Sequence, residues 1–105
     1  MEKQNKFNVI VSEEAAQMLI SHAAFLGMVS ESAAERLISS FEKIVSSLDT
    51  MPQRCPWLNA EGVPKYTYRY ILFEKRYRAI FKVFDNVVLI GYVVDCRQDY
   101  SWLFQ

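Results

Sequence analysis

The spacing of apolar residues changes twice along the chain, and each change marks a change of element. "FNVIVS", residues 7–12, is a short β-branched run that predicts a strand. Ser12 followed by Glu13 and Glu14 predicts a helix N-cap with acids in the first turn, where they meet the positive end of the helix dipole. Ala15, Leu19, His22, Ala23 and Leu26 then recur at helical spacing, and Gly27 is placed to close that helix in a left-handed cap. A second start follows at once. In "SAAE", Ser32 and Glu35 have the spacing of a capping box, and Leu37, Phe41, Ile44, Val45 and Leu48 form one apolar stripe. Together these segments predict a helical hairpin.

Helical spacing stops after Leu48. "DTMPQRCPWLNAEGVP", residues 49–64, holds all three prolines and one of the three glycines, so it is a loop within the fold, anchored by Trp57 and Leu58. At about 16 residues it is long for a connection, which implies packing or function of its own. From Tyr66 the period becomes two. "YTYRYILF" predicts a strand, "EKR" a turn, "YRAIFKVF" a strand, "DN" a tight turn and "VVLIGYVVD" a last strand. The order β, α, α, β, β, β predicts an α+β fold in which a two-helix hairpin packs on one face of a mainly antiparallel sheet. The first strand joins by a long crossover, and the apolar last strand lies centrally, since edge strands are usually shorter or charged. Alternation places Arg78, Ile80, Lys82 and Phe84 on one side of their strand and Tyr77, Ala79, Phe81 and Val83 on the other. The cations therefore share a face, expected to be concave and partly wet, and Arg69 is expected to face out with them.

Length narrows the organisation: 105 residues, 51% of them hydrophobic, predict one domain over residues 1–105 with a single core. No apolar run reaches membrane-spanning length, and the polar, acidic start "MEKQNKFNVIVSEE" lacks the apolar segment of a signal peptide. A cytoplasmic protein without a membrane partner is the expectation. Cys55 and Cys96 have neither CxxC spacing nor company, so both are expected as reduced thiols, and no metal or cofactor constellation is visible. Net charge is zero but unevenly placed. Residues 1–50 carry four Lys/Arg against seven Asp/Glu, residues 51–105 carry eight against five, and the segment from Lys65 to Lys82 holds six cations against Glu74 alone. One half is acidic and the other presents a basic strip.

Each candidate in that strip has a plain structural alternative. Arg78 projects from a strand end and has Asp95 or Asp99 as possible ion-pair partners, and Arg97 has Asp95 two residues away. Tyr100, Trp102, Leu103 and Phe104 suit a C-terminal patch folding onto the core, and Tyr66, Tyr68 and Tyr70 suit a packed strand face. Glu74, Lys75 and Arg76 suit a solvated turn. His22, the sole histidine, sits on the apolar stripe of the first helix and is expected in or near the core, away from chemistry.

The element order and the run "YRAIFKVFDNVVLIGYVVDCRQDY", residues 77–100, resemble the RelE/ParE superfamily of toxins from bacterial type II toxin–antitoxin pairs. The likeness lies in a central strand beginning Tyr-Arg, its hairpin, and an arginine-containing end that closes on an aromatic. "SLDTMPQRCPWL" is similar to the loop after the second helix in many members, and the resemblance runs from Phe7 to Phe104. RelE-like members cut messenger RNA on the ribosome with basic residues and a tyrosine on the concave face. Carried over by position, the resemblance implies Arg78, Arg97 and Tyr100 as catalytic, and Arg69 where that branch usually has a lysine; its second lysine falls at Ile71. Lys65 and Lys82 on the same strip join Arg69 as candidate substrate contacts. ParE-like members instead poison DNA gyrase and lack the nuclease set.

Cleaving RNA through its own 2′-hydroxyl needs a base, a proton donor and cations for the charge growing on phosphate. Arg78 and Arg97 suit the charge, because a guanidinium holds two phosphate oxygens and stays protonated. Tyr100 suits proton transfer, although Tyr and Lys titrate near 10 and need neighbouring cations to act as bases near neutrality. These residue types favour a ribosome-dependent mRNA endoribonuclease that blocks translation and needs no cofactor. A gyrase poison and an inactive interaction module are the alternatives. The partners expected are a cognate antitoxin whose acidic or apolar segment covers the basic face, ribosome and mRNA for a nuclease, and DNA gyrase for a ParE-like toxin.

Overall fold

The computed structural model describes residues 6–104, so the first five residues of the polar start and the terminal Gln105 lie outside the described residues. Strand β1 (Asn8–Val11) leads into helix α1 (Glu13–Gly27), then α2 (Glu31–Ser47), β2 (Arg69–Phe73), β3 (Tyr77–Phe84) and β4 (Val87–Asp95). The predicted order holds. Short 3-10 turns follow at Pro52–Arg54 and Ser101–Phe104. The sheet runs β1-β4-β3-β2, with β1 parallel to β4 and the other pairs antiparallel. The crossover from β1 therefore ends beside the last strand, and β3 and β4 are central.

Ser12 caps α1 as its position predicts: its Oγ accepts from the Ala15 N–H at 3.0 Å. The same hydroxyl donates to the Gly91 carbonyl at 3.3 Å, which ties the helix start to β4. Two helix-end expectations are corrected. Gly27 stays within the helix, and Met28 follows as a right-handed C-cap with φ −68°, so no left-handed residue closes α1. The connection is too short to need one, because the Ser30 N–H already returns to the Leu26 carbonyl at 2.8 Å. The cap of α2 is Ser30, whose Oγ accepts from the Ala33 N–H at 3.2 Å, and Ser32 lies inside the first turn. A tight hairpin starts its second helix at the first side chain able to cap it.

The strand predicted from Tyr66 begins at Arg69. Tyr66 holds φ 57°, in the left-handed region, and the chain bends there instead of extending. The proline-rich loop fills the gap: Leu58 N–H donates to Tyr68 O at 2.7 Å, Tyr70 N–H to Pro56 O at 3.2 Å, and Trp57 bridges Arg69. That loop covers the free edge of β2, which leaves fewer unpaired backbone groups for another chain.

On the helix side, Ala15, Leu19, Leu37, Phe41 and Leu48 meet Phe73, Tyr77, Ala79, Phe81, Val88, Ile90 and Val93 in the main core. The alternation on β3 is the predicted one, with Tyr77, Ala79 and Phe81 inward and Lys82 and Phe84 exposed on the other side. On β4 the period breaks. Ile80 faces Tyr92 but Phe81 faces Ile90, so Gly91 is an extra residue in a bulge. Past it the sides exchange: Val93 and Asp95 point to the helices, Tyr92 and Val94 away from them. A glycine inside a strand pattern is the sequence signal for such a bulge.

The outer face is not the open surface expected. Leu58, Ile80 and Val94 are buried there at 1, 0 and 3% exposure, under Val63, Tyr68, Tyr70, Tyr92, Tyr100, Leu103 and Phe104. Phe104 sits edge-on against Tyr68 and Tyr92, with ring centroids 5.0 and 5.2 Å away. Tyr100, Leu103 and Phe104 of the C-terminal patch thus fold onto the sheet while Trp102 stays 64% exposed, and a second small core divides the basic strip. Cys55 and Cys96 are both unpaired thiols. Among the described residues no helix is long and apolar enough to cross a membrane.

Candidate functional site

Arg78, the second residue of β3, points to the outer face at the sheet end where the C-terminal segment returns. Its Nη1 donates to the Tyr100 hydroxyl at 2.8 Å, and its guanidinium carbon lies 4.3 Å from the Tyr70 ring centroid. A phenol oxygen and a π face thus hold the cation in place. Its Nε is buried and has no acceptor among the described residues. Burial opposes the charge on Arg78, but the Tyr100 oxygen and its hydrogen bond, with Cys96 and Tyr70 nearby, outweigh it and hold the pKa above the ordinary arginine value. Arg78 stays cationic at any physiological pH.

Tyr100 owes its place to the turn after it. Asp99 Oδ1 accepts from the Ser101 N–H at 3.0 Å and from Ser101 Oγ at 2.9 Å, and Leu103 N–H donates back to Tyr100 O at 3.1 Å. Asp99 therefore starts the terminal turn and does not pair with Arg78. Those Ser101 hydrogen bonds hold the Asp99 carboxyl below the usual carboxylate range.

Arg97 is engaged elsewhere. Its backbone N–H and Nε donate to Asp95 Oδ1 at 2.9 and 3.3 Å, and its Nη2 donates to Oδ2 at 3.1 Å. Asp95 itself is buried, at 5% exposure, because the Gly91 bulge turns it toward the helices. Burial works to raise its pKa, but the Arg97 contacts, with help from Arg76, prevail and hold the carboxyl below its ordinary value. Of the two ion-pair alternatives read from the sequence, Arg97 with Asp95 is the one that forms.

Arg69 does not share the face of Arg78 and Lys82. It pairs across the ladder with Phe81, whereas Arg78 pairs with Leu72, so its side chain leaves on the opposite alternation. There Nη1 donates to the Gln53 and Cys55 carbonyls at 3.0 and 2.6 Å, and the guanidinium stacks 3.7 Å from the Trp57 ring centroid. Arg69 clamps the proline-rich loop. The Cys55 thiol beneath it is pushed up in pKa by burial, against the pull of Arg54 and Arg69, and is poorly nucleophilic.

The lysines lie apart from this cluster. Lys82 is exposed with its ammonium 5.1 Å from the Tyr68 ring, on a cleft of about 230 Å³ shared with Glu14, Leu89 and Tyr92. Lys65 lines a wider cleft of about 450 Å³ with Trp57, Val63 and Tyr66. His22 is half-buried on α1, its Nε2 donating to the Val93 carbonyl at 3.0 Å and its ring 5.2 Å from Tyr77. It still borders a small cleft of about 70 Å³ beside Asp95, Asp99 and Tyr100, a closeness that sequence separation hides.

The structure thus brings Arg78 and Tyr100 together, ties Arg97 to Asp95, and sends Arg69, Lys65 and Lys82 elsewhere. Tyr70 and Asp95 were not among the expected site residues. The sequence offered the second only as an ion-pair partner for Arg78 or Arg97.

The family model of the ParE toxin of type II toxin-antitoxin system, parDE, matches residues 9–100. The chain belongs to the ParE toxin family. A solved structure titled "Chromosomal ParDE TA system from P. aeruginosa" superposes with a TM-score of 0.69 at 16% identity, covering 88% of this chain and 98% of that one. At that identity the likeness is one of fold. Direct comparison with curated sequences gives no match. As a ParE-family toxin the protein is one half of a toxin–antitoxin pair, so a cognate antitoxin is its partner.

Proposed function

We propose that this ParE-family toxin acts by binding DNA gyrase and trapping cleaved DNA, not by cutting messenger RNA. The observation that carries this is the engagement of Arg97. Turning its guanidinium fully to a phosphate would give up two side-chain contacts to a buried carboxylate, and Asp95 would keep only the Arg97 backbone N–H without the cation. The rest of the surroundings agree: Arg69 is occupied by loop carbonyls, and the aromatic terminal segment lies over the middle of the face that RNA would need. Both targets are cytoplasmic, and the proposal places the toxin there.

The contact of Arg78 with Tyr100 favours a second reading, because it joins the two residues that an RNA-cleaving site would use for charge and proton transfer. One pair of assays separates the readings. On the gyrase reading, purified toxin with gyrase, ATP and supercoiled plasmid yields linear DNA, induction raises a DNA-damage response, and Tyr100→Phe still arrests growth. Messenger RNA cut in a translating extract, with plasmid intact and cutting abolished by Tyr100→Phe, would overturn it in favour of the nuclease.

A further inference from the structure

A second cationic site lies away from Arg78, where the end of α1, the start of α2 and the β2–β3 turn meet. Leu26, Leu37 and Tyr77 wall a cleft of about 140 Å³ that Arg36, Glu74 and Arg76 make polar. The Arg76 guanidinium lies 5.5 Å from the Tyr77 ring centroid, and its buried Nε has no acceptor among the described residues. Arg36 reaches Glu74 Oε1 only at 3.9 Å, while Glu74 Oε2 accepts from Ser40 Oγ at 2.6 Å. Asp95 feels the charge of Arg76, but its two oxygens are held by Arg97. Three guanidiniums, of Arg36, Arg76 and Arg97, thus stand against two carboxylates, of Glu74 and Asp95. One positive charge is left for a ligand.

The surroundings define that ligand further. On either side of Leu26 the last turn of α1 exposes Phe25 at 67%, and the hairpin turn exposes Met28 and Val29 at 83% each, an apolar rim next to the cleft along the chain. A carboxylate on an aliphatic stem, with apolar neighbours, satisfies both: the oxygens meet Arg36 and Arg76, the methylenes lie along Leu26, Leu37 and Tyr77, and the flanking residues cover the rim. A bare phosphate leaves the apolar walls and rim unmatched.

We propose that this cleft seats a glutamate from an apolar stretch of the antitoxin, a contact separate from any made to the Arg78 face; it rests on the toxin–antitoxin pairing of the family. The probe is an acetylated and amidated leucine–leucine–glutamate–leucine tetrapeptide, titrated into isotope-labelled toxin while the arginine side-chain Nε–H signals are followed by NMR. The expected result is a saturable shift of the Arg36 and Arg76 signals, with affinity about tenfold lower for the glutamine counterpart of the peptide, the loss of roughly one charge-assisted hydrogen bond. Arg76→Gln should weaken binding to a similar degree. Arg36→Gln, on an exposed helix face, provides an independent variant if Arg76→Gln fails to fold. Absence of a saturable shift, equal binding of the glutamine peptide, or tighter binding of inorganic phosphate would each overturn the assignment. Growth arrest is measured separately in cells, so failure of the toxin's action leaves the titration's outcome intact.

Discussion

On the helix side of the sheet, Ala79, Phe81, Val88, Ile90 and Val93 are wholly buried under two helices, and their partners, Cys55 apart, are aliphatic or aromatic. On the other side the same strands bury only Ile80 and Val94, joined by Leu58 of the proline-rich loop, beneath tyrosines and a phenylalanine, with the cations of Arg78 and Lys82 over the rings of Tyr70 and Tyr68. The first layer is held by apolar area and shape. In the second, rings and cations share the work, so each contact is smaller and more easily exchanged for water or a partner. Binding surfaces are drawn from layers of the second kind, since a face sealed as fully as the first has nothing left to offer.

Truncation tests this contrast most strongly. Phe81→Ala should cost about 3–5 kcal/mol, because the void lies between sheet and helices where collapse is limited. Ile80→Ala, one residue away on the thin layer, should fall near the lower end of about 2–5 kcal/mol, since the terminal turn is free to settle into the space. Urea unfolding of both variants measures the difference, and equal losses would show the two layers to be equally rigid.

Acid reaches the two layers through Asp95, whose carboxyl faces the helices while its cation comes from outside. Its pKa in the folded state is lowered, so its contribution is present above the unfolded value near 3.9 and is lost as pH falls through the folded value. Arg97→Ala removes the side-chain hydrogen bonds and the charge that do most of the lowering, and leaves the backbone N–H and Arg76. The acid unfolding midpoint, followed by circular dichroism, should move to higher pH, whereas Lys43→Ala, at an exposed cation on α2, should leave the parent's pH profile nearly unchanged.

The smallest effect is expected at the bulge that exchanges the two faces. A Cβ on Gly91 meets nothing within 4 Å and its φ lies outside the left-handed region, so Gly91→Ala should change stability by no more than about 1 kcal/mol. A larger loss in thermal unfolding would mean that the bulge needs glycine for its backbone.

How far the sequence carried follows from where each signal is local. Ser12 and the stripe from Leu37 to Leu48 depend on neighbours within a turn or two, and both formed as their spacing implied. Gly27 and Ser32 failed because the length of the hairpin connection, a property of two helices at once, chose Met28 and Ser30 instead. Arg69 was assigned to the wrong face because its neighbours set only the alternation, while the ladder to β3 sets the side. The cover over Ile80 was half legible: Trp102 and Phe104 read as a folding patch, but only Phe104 folds in, while Trp102 stays 64% exposed, and the seat of Phe104 between Tyr68 and Tyr92 depends on a bulge about a dozen residues earlier. The pairing of Arg78 with Tyr100 was chosen over Asp95 and Asp99 by geometry that only the closed sheet supplies.

The parallel pairing of β1 with β4 has a consequence in time. β1 is made before both helices and waits for a partner that is the last strand of the sheet to be synthesised, and the Ser12 hydroxyl that caps α1 finds its acceptor on Gly91 only then. A nascent chain can form its helical hairpin from local contacts, but it cannot close its sheet until β4 has left the ribosome. A poison built this way stays incomplete while it is being made, which gives a cell already holding the antitoxin the interval of synthesis in which to meet it.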